Sequence, residues 1–185
     1  MKNLISFVFT FLVVFVSNSQ TYEMYSDVWE YVSKDSKMIV PKGGGSFSFP
    51  SEEMIKKIDT NKINSYMLES FNNFRKSYGK SPVTEDKDLT KKSKSYAKCL
   101  VSEFKHDPNL PNNNSENIAE LNFMLFTKID LNKYDINKVI ADCCFDIFIR
   151  SKGHMEMLLS ERSNKYGFGI YKSTHSIMIC LRYKA

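Results

Sequence analysis

Several things are missing from this chain, and each absence narrows what it can be. None of its four cysteines forms a Cys-x-x-Cys pair, which excludes a zinc ribbon or a thioredoxin-like redox site. No dense Lys/Arg run is interleaved with aromatics, and the net charge of +5 is spread along the chain, which argues against nucleic-acid binding. After residue 16 no stretch is long and apolar enough to span a bilayer. No internal repeat is visible. Histidine is scarce as well, with only His106, His154 and His175, so a metal or acid–base site has few residues to draw on.

What is present is enough to fold. Hydrophobic residues make up 42% of the 185 positions and aromatics 14%, which excludes global disorder. After a leader is removed, the length suits one domain with a short extension. Met1-Lys2-Asn3 is a short basic start, Leu4 to Val16 is an apolar run, and Ser17-Asn18-Ser19 supplies small residues ahead of Gln20. That is the pattern of an export signal over residues 1–19, with cleavage before Gln20. Thirteen helical residues would reach only about 20 Å, short of a hydrocarbon core. The expected location is therefore outside the cell, with no stable membrane insertion after signal removal. Residues 20–61 read as an extension or linker. It contains a Gly- and Pro-marked loop from Pro41 to Pro50 and an early aromatic group at Tyr22, Tyr25, Trp29 and Tyr31. Asn113-Asn114-Ser115 is a glycosylation sequon, meaningful only in a eukaryotic secretory pathway.

Residues 62–185 read as one domain. Met67, Phe71, Phe74 and Tyr78 predict a helix over 63–78, stopped by Gly79 and Pro82. A second helix is expected over Leu89–Phe104, capped by Asp86 or Thr90, and a short one over Ser115–Leu121. Asp135–Arg150 carries apolar residues on two sides, the pattern of a helix buried between layers, with Asp135 as N-cap and Gly153 as stop. Tyr166–Tyr171 and Ser176–Tyr183 predict two strands joined as an antiparallel hairpin. Helices first and strands last give an α+β fold, with helices covering a small antiparallel sheet. In an exported protein four cysteines suggest disulfides. A bond between adjacent Cys143 and Cys144 is disfavoured by strain, while Cys99 and Cys180 sit in apolar-patterned segments that equally suit free buried thiols.

The candidate chemistry lies at helix ends. His106 and His154 stand at helix-to-loop junctions, and Glu116 follows His106 by ten residues. Two imidazoles and a carboxylate suit a divalent cation such as zinc, or acid–base work. His175 reads as a solvated turn residue. Ser151 with His154 has nucleophile–base spacing, but no nucleophile elbow or oxyanion loop accompanies it.

The order of the pieces adds to this. Phe71-Asn72-Asn73-Phe74-Arg75 runs into Tyr78-Gly79-Lys80-Ser81-Pro82-Val83. Then follow Ser95-Tyr96-Ala97, Phe104-Lys105-His106, Ser115-Glu116-Asn117-Ile118-Ala119, Phe148-Ile149-Arg150-Ser151-Lys152-Gly153-His154 and Tyr166-Gly167-Phe168-Gly169-Ile170. The ordered set resembles the CAP superfamily (cysteine-rich secretory, antigen 5 and pathogenesis-related 1 proteins), and within it the bacterial-type SCP domains. The resemblance implies an α-β-α sandwich with a shallow cleft, where two His and two acidic residues can hold a divalent metal. His106 matches the first His, Glu116 the Glu of the Gly-Glu-Asn-Ile motif, and His154 the second His. Ser115 replaces that motif's Gly. Ser151 stands where the second Glu belongs, and serine is a poor metal ligand.

The function this implies is a secreted binding module. Its cleft is expected at His106, Glu116, Ser151 and His154, with a divalent metal such as zinc on His106, Glu116 and His154. Its expected partner is an extracellular protein or a lipid- or sterol-like ligand. The alternative is a metal-assisted extracellular hydrolase or protease, with Glu116 as general base beside a His-bound water.

Overall fold

A computed structural model describes residues 29–31, 39–41, 50–112, 114–127, 129–162 and 164–184. The expected signal at 1–19, its cleavage site, Tyr22, Tyr25, the Gly43-Gly44-Gly45 run and Asn113 of the sequon lie outside the described residues.

Two short strands, β1 (Trp29–Tyr31) and β2 (Ile39–Pro41), pair antiparallel with each other. The rest of the order is α1 (Glu52–Lys57), α2 (Thr60–Ser77), β3 (Thr84–Glu85), α3 (Lys87–Cys99), β4 (Asn114–Asn122), a 3-10 turn (Phe123–Phe126), α4 (Ile136–Arg150), α5 (Lys152–Leu158), β5 (Lys165–Lys172) and β6 (Ser176–Lys184). Four strands make the main sheet in the order β3-β5-β6-β4. β4, β6 and β5 are antiparallel neighbours, and β3 adds a two-residue parallel edge.

Each major element has a local cause. Asp59 caps α2 by accepting from the Asn61 and Lys62 amides, and Ile63, Met67, Phe71 and Phe74 fall on its buried stripe. Gly79 then takes φ +66, while the Gly79 and Lys80 amides return to the carbonyls of Lys76 and Arg75. That left-handed turn is what glycine permits at a helix end. Asp135 caps α4 through the Asn137 amide, and α4 is buried on both sides as its sequence predicts.

The sheet separates two unequal cores. On one face Tyr166, Phe168, Ile179, Leu181 and Tyr183 join α2 and α4 in the larger core, where Phe145 packs 5.6 Å from Phe74 and 6.4 Å from Phe71. On the other face Ile118, Met178 and Cys180 pack against Ala97 and Leu100 of the α3 segment. α3 lies close because β5 presents Gly167 and Gly169 to it. The result is α+β, with helices on both sides of a small sheet.

Four sequence expectations need correction. Ser115–Leu121 is not a helix but most of β4, paired with β6 along its whole length. Its Glu116, Asn117, Ile118 and Ala119 are all buried, so no in–out alternation announces the strand. α3 ends at Cys99 rather than Phe104, which is exposed. Gly153 does not stop α4; it lies inside α5, and the break falls at Ser151, whose φ −89 and ψ 114 are extended. The four cysteines form no disulfide: Cys143, Cys144 and Cys180 are buried thiols, and Cys99 is an exposed one.

Candidate functional site

The chain between α3 and β4 builds the site. After α3, the Tyr96 hydroxyl donates to the Lys105 carbonyl at 2.9 Å and folds the connecting loop back against the helix. That return brings His106 and Asp107 over the start of β4. The Asp107 amide donates to Glu116 Oε1 at 3.0 Å, and His106 Nδ1 lies 3.2 Å from the same oxygen.

The other carboxylate oxygen belongs to Arg182. Glu116 on β4 and Arg182 on β6 are directly opposite in register, so both side chains leave the same face of the sheet. Arg182 Nε donates to Glu116 Oε2 at 2.8 Å, and its Nη2 reaches Asp107 Oδ2 at 2.6 Å. Cys180 Sγ is a further donor to Glu116 Oε2, at 3.4 Å. The guanidinium also stacks over the Tyr96 ring, 4.7 Å from its centroid. Burial alone would lower the Arg182 pKa, but its hydrogen bonds to the Glu116 and Asp107 carboxylates outweigh it and hold it above the ordinary value. Burial, then Glu116, pushes the Cys180 thiol up and keeps it protonated.

His154 does not share this face. Glu116 and Asn117 are consecutive on β4, so their side chains leave opposite faces. Asn117 Nδ2 donates to the Tyr183 hydroxyl at 3.2 Å and to the His154 carbonyl at 3.4 Å. The His154 ring packs edge-on to Phe148 of the larger core, with centroids 5.4 Å apart. Ser151 is buried at the α4–α5 junction. Of the sequence candidates, the structure therefore joins His106 with Glu116, and sets His154 and Ser151 with the larger core. His175 is exposed in the β5–β6 turn.

Arg182 is the residue that sequence reasoning missed. The signal was an arginine inside an otherwise apolar strand, since a charge there is almost never buried without a partner. Asp107, at the head of a polar loop, gave no such signal.

Beside these ion pairs is a hollow of about 510 Å³. Lys91, Lys92, Tyr96 and Cys99 of α3 line one side, and Asp107 and Arg182 line the other.

This donor set does not fit a divalent cation. The Glu116 side chain is 1% exposed and both its oxygens already accept hydrogen bonds, one of them from a guanidinium. A metal there would displace those donors and sit against a fixed positive charge. Among the described residues, no group of three His, Cys, Asp or Glu side chains is placed to hold a metal ion.

Comparison with known proteins agrees with this architecture. No curated protein matches the sequence. Among solved structures, the fold is similar to an extracellular SCP-domain protein from Bacillus anthracis, with TM-score 0.52 and 16% identity over 80% of this chain and 46% of that one. It is also similar to NaASP2, solved with Zn2+, with TM-score 0.50 and 18% identity over 74% of this chain and 83% of that one. An outer surface protein from Borrelia burgdorferi matches with TM-score 0.49 and 21% identity over 69% of this chain and 96% of that one. The family model for the cysteine-rich secretory protein family matches residues 68–182, from the buried stripe of α2 to the Arg182 that closes the site. With that span and this α-β-α layering, the chain belongs to the cysteine-rich secretory protein (CAP) family.

Proposed function

We propose that this chain is an exported, non-catalytic binding module, and that its recognition surface is the α3 side of the sheet, centred on the hollow beside Arg182. The observation that carries the reading is the condition of Glu116. Its carboxylate is sealed from solvent and saturated by Arg182, the Asp107 amide and His106. A carboxylate in that state organises a surface; it does not take a proton from water. The apolar run Leu4–Val16 supports export, as does the extracellular description of the Bacillus anthracis relative. A partner settles on the lysines and Tyr96 of α3 while the ion pairs beneath keep that wall rigid.

Turnover assays on peptide and ester substrates, with and without added zinc, test this reading. No turnover above the uncatalysed background is expected, and Glu116→Gln changes nothing in that assay. Hydrolysis by the purified chain that disappears in Glu116→Gln overturns the module and favours the metal-assisted hydrolase.

A further inference from the structure

α3 is unusually basic on its outer side. Lys87, Lys91, Lys94 and Lys98 recur at i, i+4, i+7 and i+11, so they fall within about 60° of arc and along roughly 16 Å of helix. Lys92 adds a fifth charge on the hollow side. All five are exposed, and the ion pairs among the described residues use none of them. Within the helix only Asp88 opposes them. A ladder of like charges with no partners costs folding stability, and it is tolerated where an outside surface supplies the counter-charge.

The second observation lies immediately beyond the helix. Among the described residues, the exposed large apolar side chains are Val101, at 47%, and Phe104, at 49%, three residues apart in the loop after α3. The Tyr96–Lys105 hydrogen bond returns this loop to the C-terminal part of α3, so Val101 and Phe104 lie at that end of the ladder. Cationic rungs with a phenylalanine and a valine at one end match a bilayer interface, where lysines meet anionic headgroups and apolar side chains enter the headgroup–acyl boundary. A soluble polyanion offers nothing for Val101 and Phe104 to enter.

We propose that the outer face of α3 and the loop after it form a peripheral docking surface for an anionic lipid bilayer. Lys87, Lys91, Lys92, Lys94 and Lys98 meet the headgroups, and Val101 and Phe104 anchor. The inference rests on the binding-module reading and names the partner of that surface.

Cosedimentation with vesicles tests it, comparing phosphatidylglycerol mixed into phosphatidylcholine with phosphatidylcholine alone. Every variant begins at Gln20, as the export reading implies, so the apolar run Leu4–Val16 is absent from all arms. The chain is expected to partition onto the anionic vesicles and to release as salt rises. The triple variant Lys91→Glu, Lys94→Glu, Lys98→Glu is expected to lose on the order of 100-fold in partitioning. Phe104→Ala is expected to lose roughly tenfold, while Phe104→Trp keeps binding. These positions are exposed, and unchanged circular dichroism checks that each variant is folded. Equal binding to both vesicle types, or binding indifferent to the lysine triple, overturns the proposal. So does heparin binding that needs the lysines but not Phe104, which would assign the face to a soluble polyanion. Such failures leave the turnover assay unaffected, so the loss of this partner and the loss of the module reading remain distinguishable.

Discussion

At the scale of single residues, Arg182 decides what the site is. It gives a permanent positive charge to two carboxylates in the place where the sequence resemblance implies a metal. Deleting one partner of such a buried group leaves the others uncompensated, which costs more than the pairing itself contributes. Arg182→Met is therefore expected to lower unfolding free energy by about 3–5 kcal/mol in urea denaturation. Adding Glu116→Gln to that variant should recover part of the loss, because one stranded charge is removed with it. A stability for Arg182→Met within about 0.5 kcal/mol of the parent chain would contradict the assignment. The cysteines give a second residue-scale test. Burial raises the pKa values of Cys143, Cys144 and Cys180, so all three stay protonated and shielded, whereas Cys99 is exposed. A thiol reagent should modify Cys99 alone in the native protein and all four cysteines after denaturation. Slow modification of Cys99, or prompt reaction of Cys180, would contradict this placement.

At the scale of elements, the contact between α3 and β5 fixes where the helix lies on the sheet. A Cβ at Gly169 would stand 2.0 Å from the Ser93 carbonyl carbon, and one at Gly167 would stand 2.3 Å from the Leu89 carbonyl carbon. Those obstacles are backbone, which no rotamer change relieves. Gly169→Ala is expected to cost about 3 kcal/mol and to displace α3, read by urea denaturation and by chemical shifts along the helix. Gly153→Ala, with open space around it, should instead stabilise by about 0.5 kcal/mol. The cap of α4 gives a pH test. Burial works to raise the Asp135 pKa, but hydrogen bonds from Asn137 and from the Tyr66 hydroxyl outweigh it and hold it below the ordinary 3.8. A depressed acid stabilises the fold above its unfolded pKa and loses that contribution as pH falls through the folded one. Asp135→Ala should therefore cost about 1 kcal/mol at neutral pH, and the difference should shrink below pH 3.8. Equal stability of the two chains at neutral pH would remove the cap from the account. The same elements explain what the sequence disclosed. α2 and α4 carry long 3.6-residue stripes, and β5 and β6 are apolar runs around a short turn, so all four were legible. β4 was not, because it is buried on both faces over Glu116–Ala119 and its polarity alternates with neither period.

At the scale of the whole molecule, the sheet is a partition. Its larger core, filled by α2 and α4, holds the fold together, while α3 presents a basic outer wall. The pairing of His106 with Glu116 was foreshadowed by the order of short segments. The separation of His154 from them was not, because it depends on strand alternation at Glu116 and Asn117, and the sequence read that segment as a helix. Arg182 was hidden for a related reason: its role comes from a cross-strand register that joins residues 66 positions apart. This face of the sheet already contains its cation, the Arg182 guanidinium. Calorimetric titration of zinc into the purified chain tests that most directly. No saturable heat assignable to His106 and Glu116 is expected, with the same trace from His106→Ala as from the parent chain. Stoichiometric zinc binding that is abolished by His106→Ala and by Glu116→Gln would contradict it.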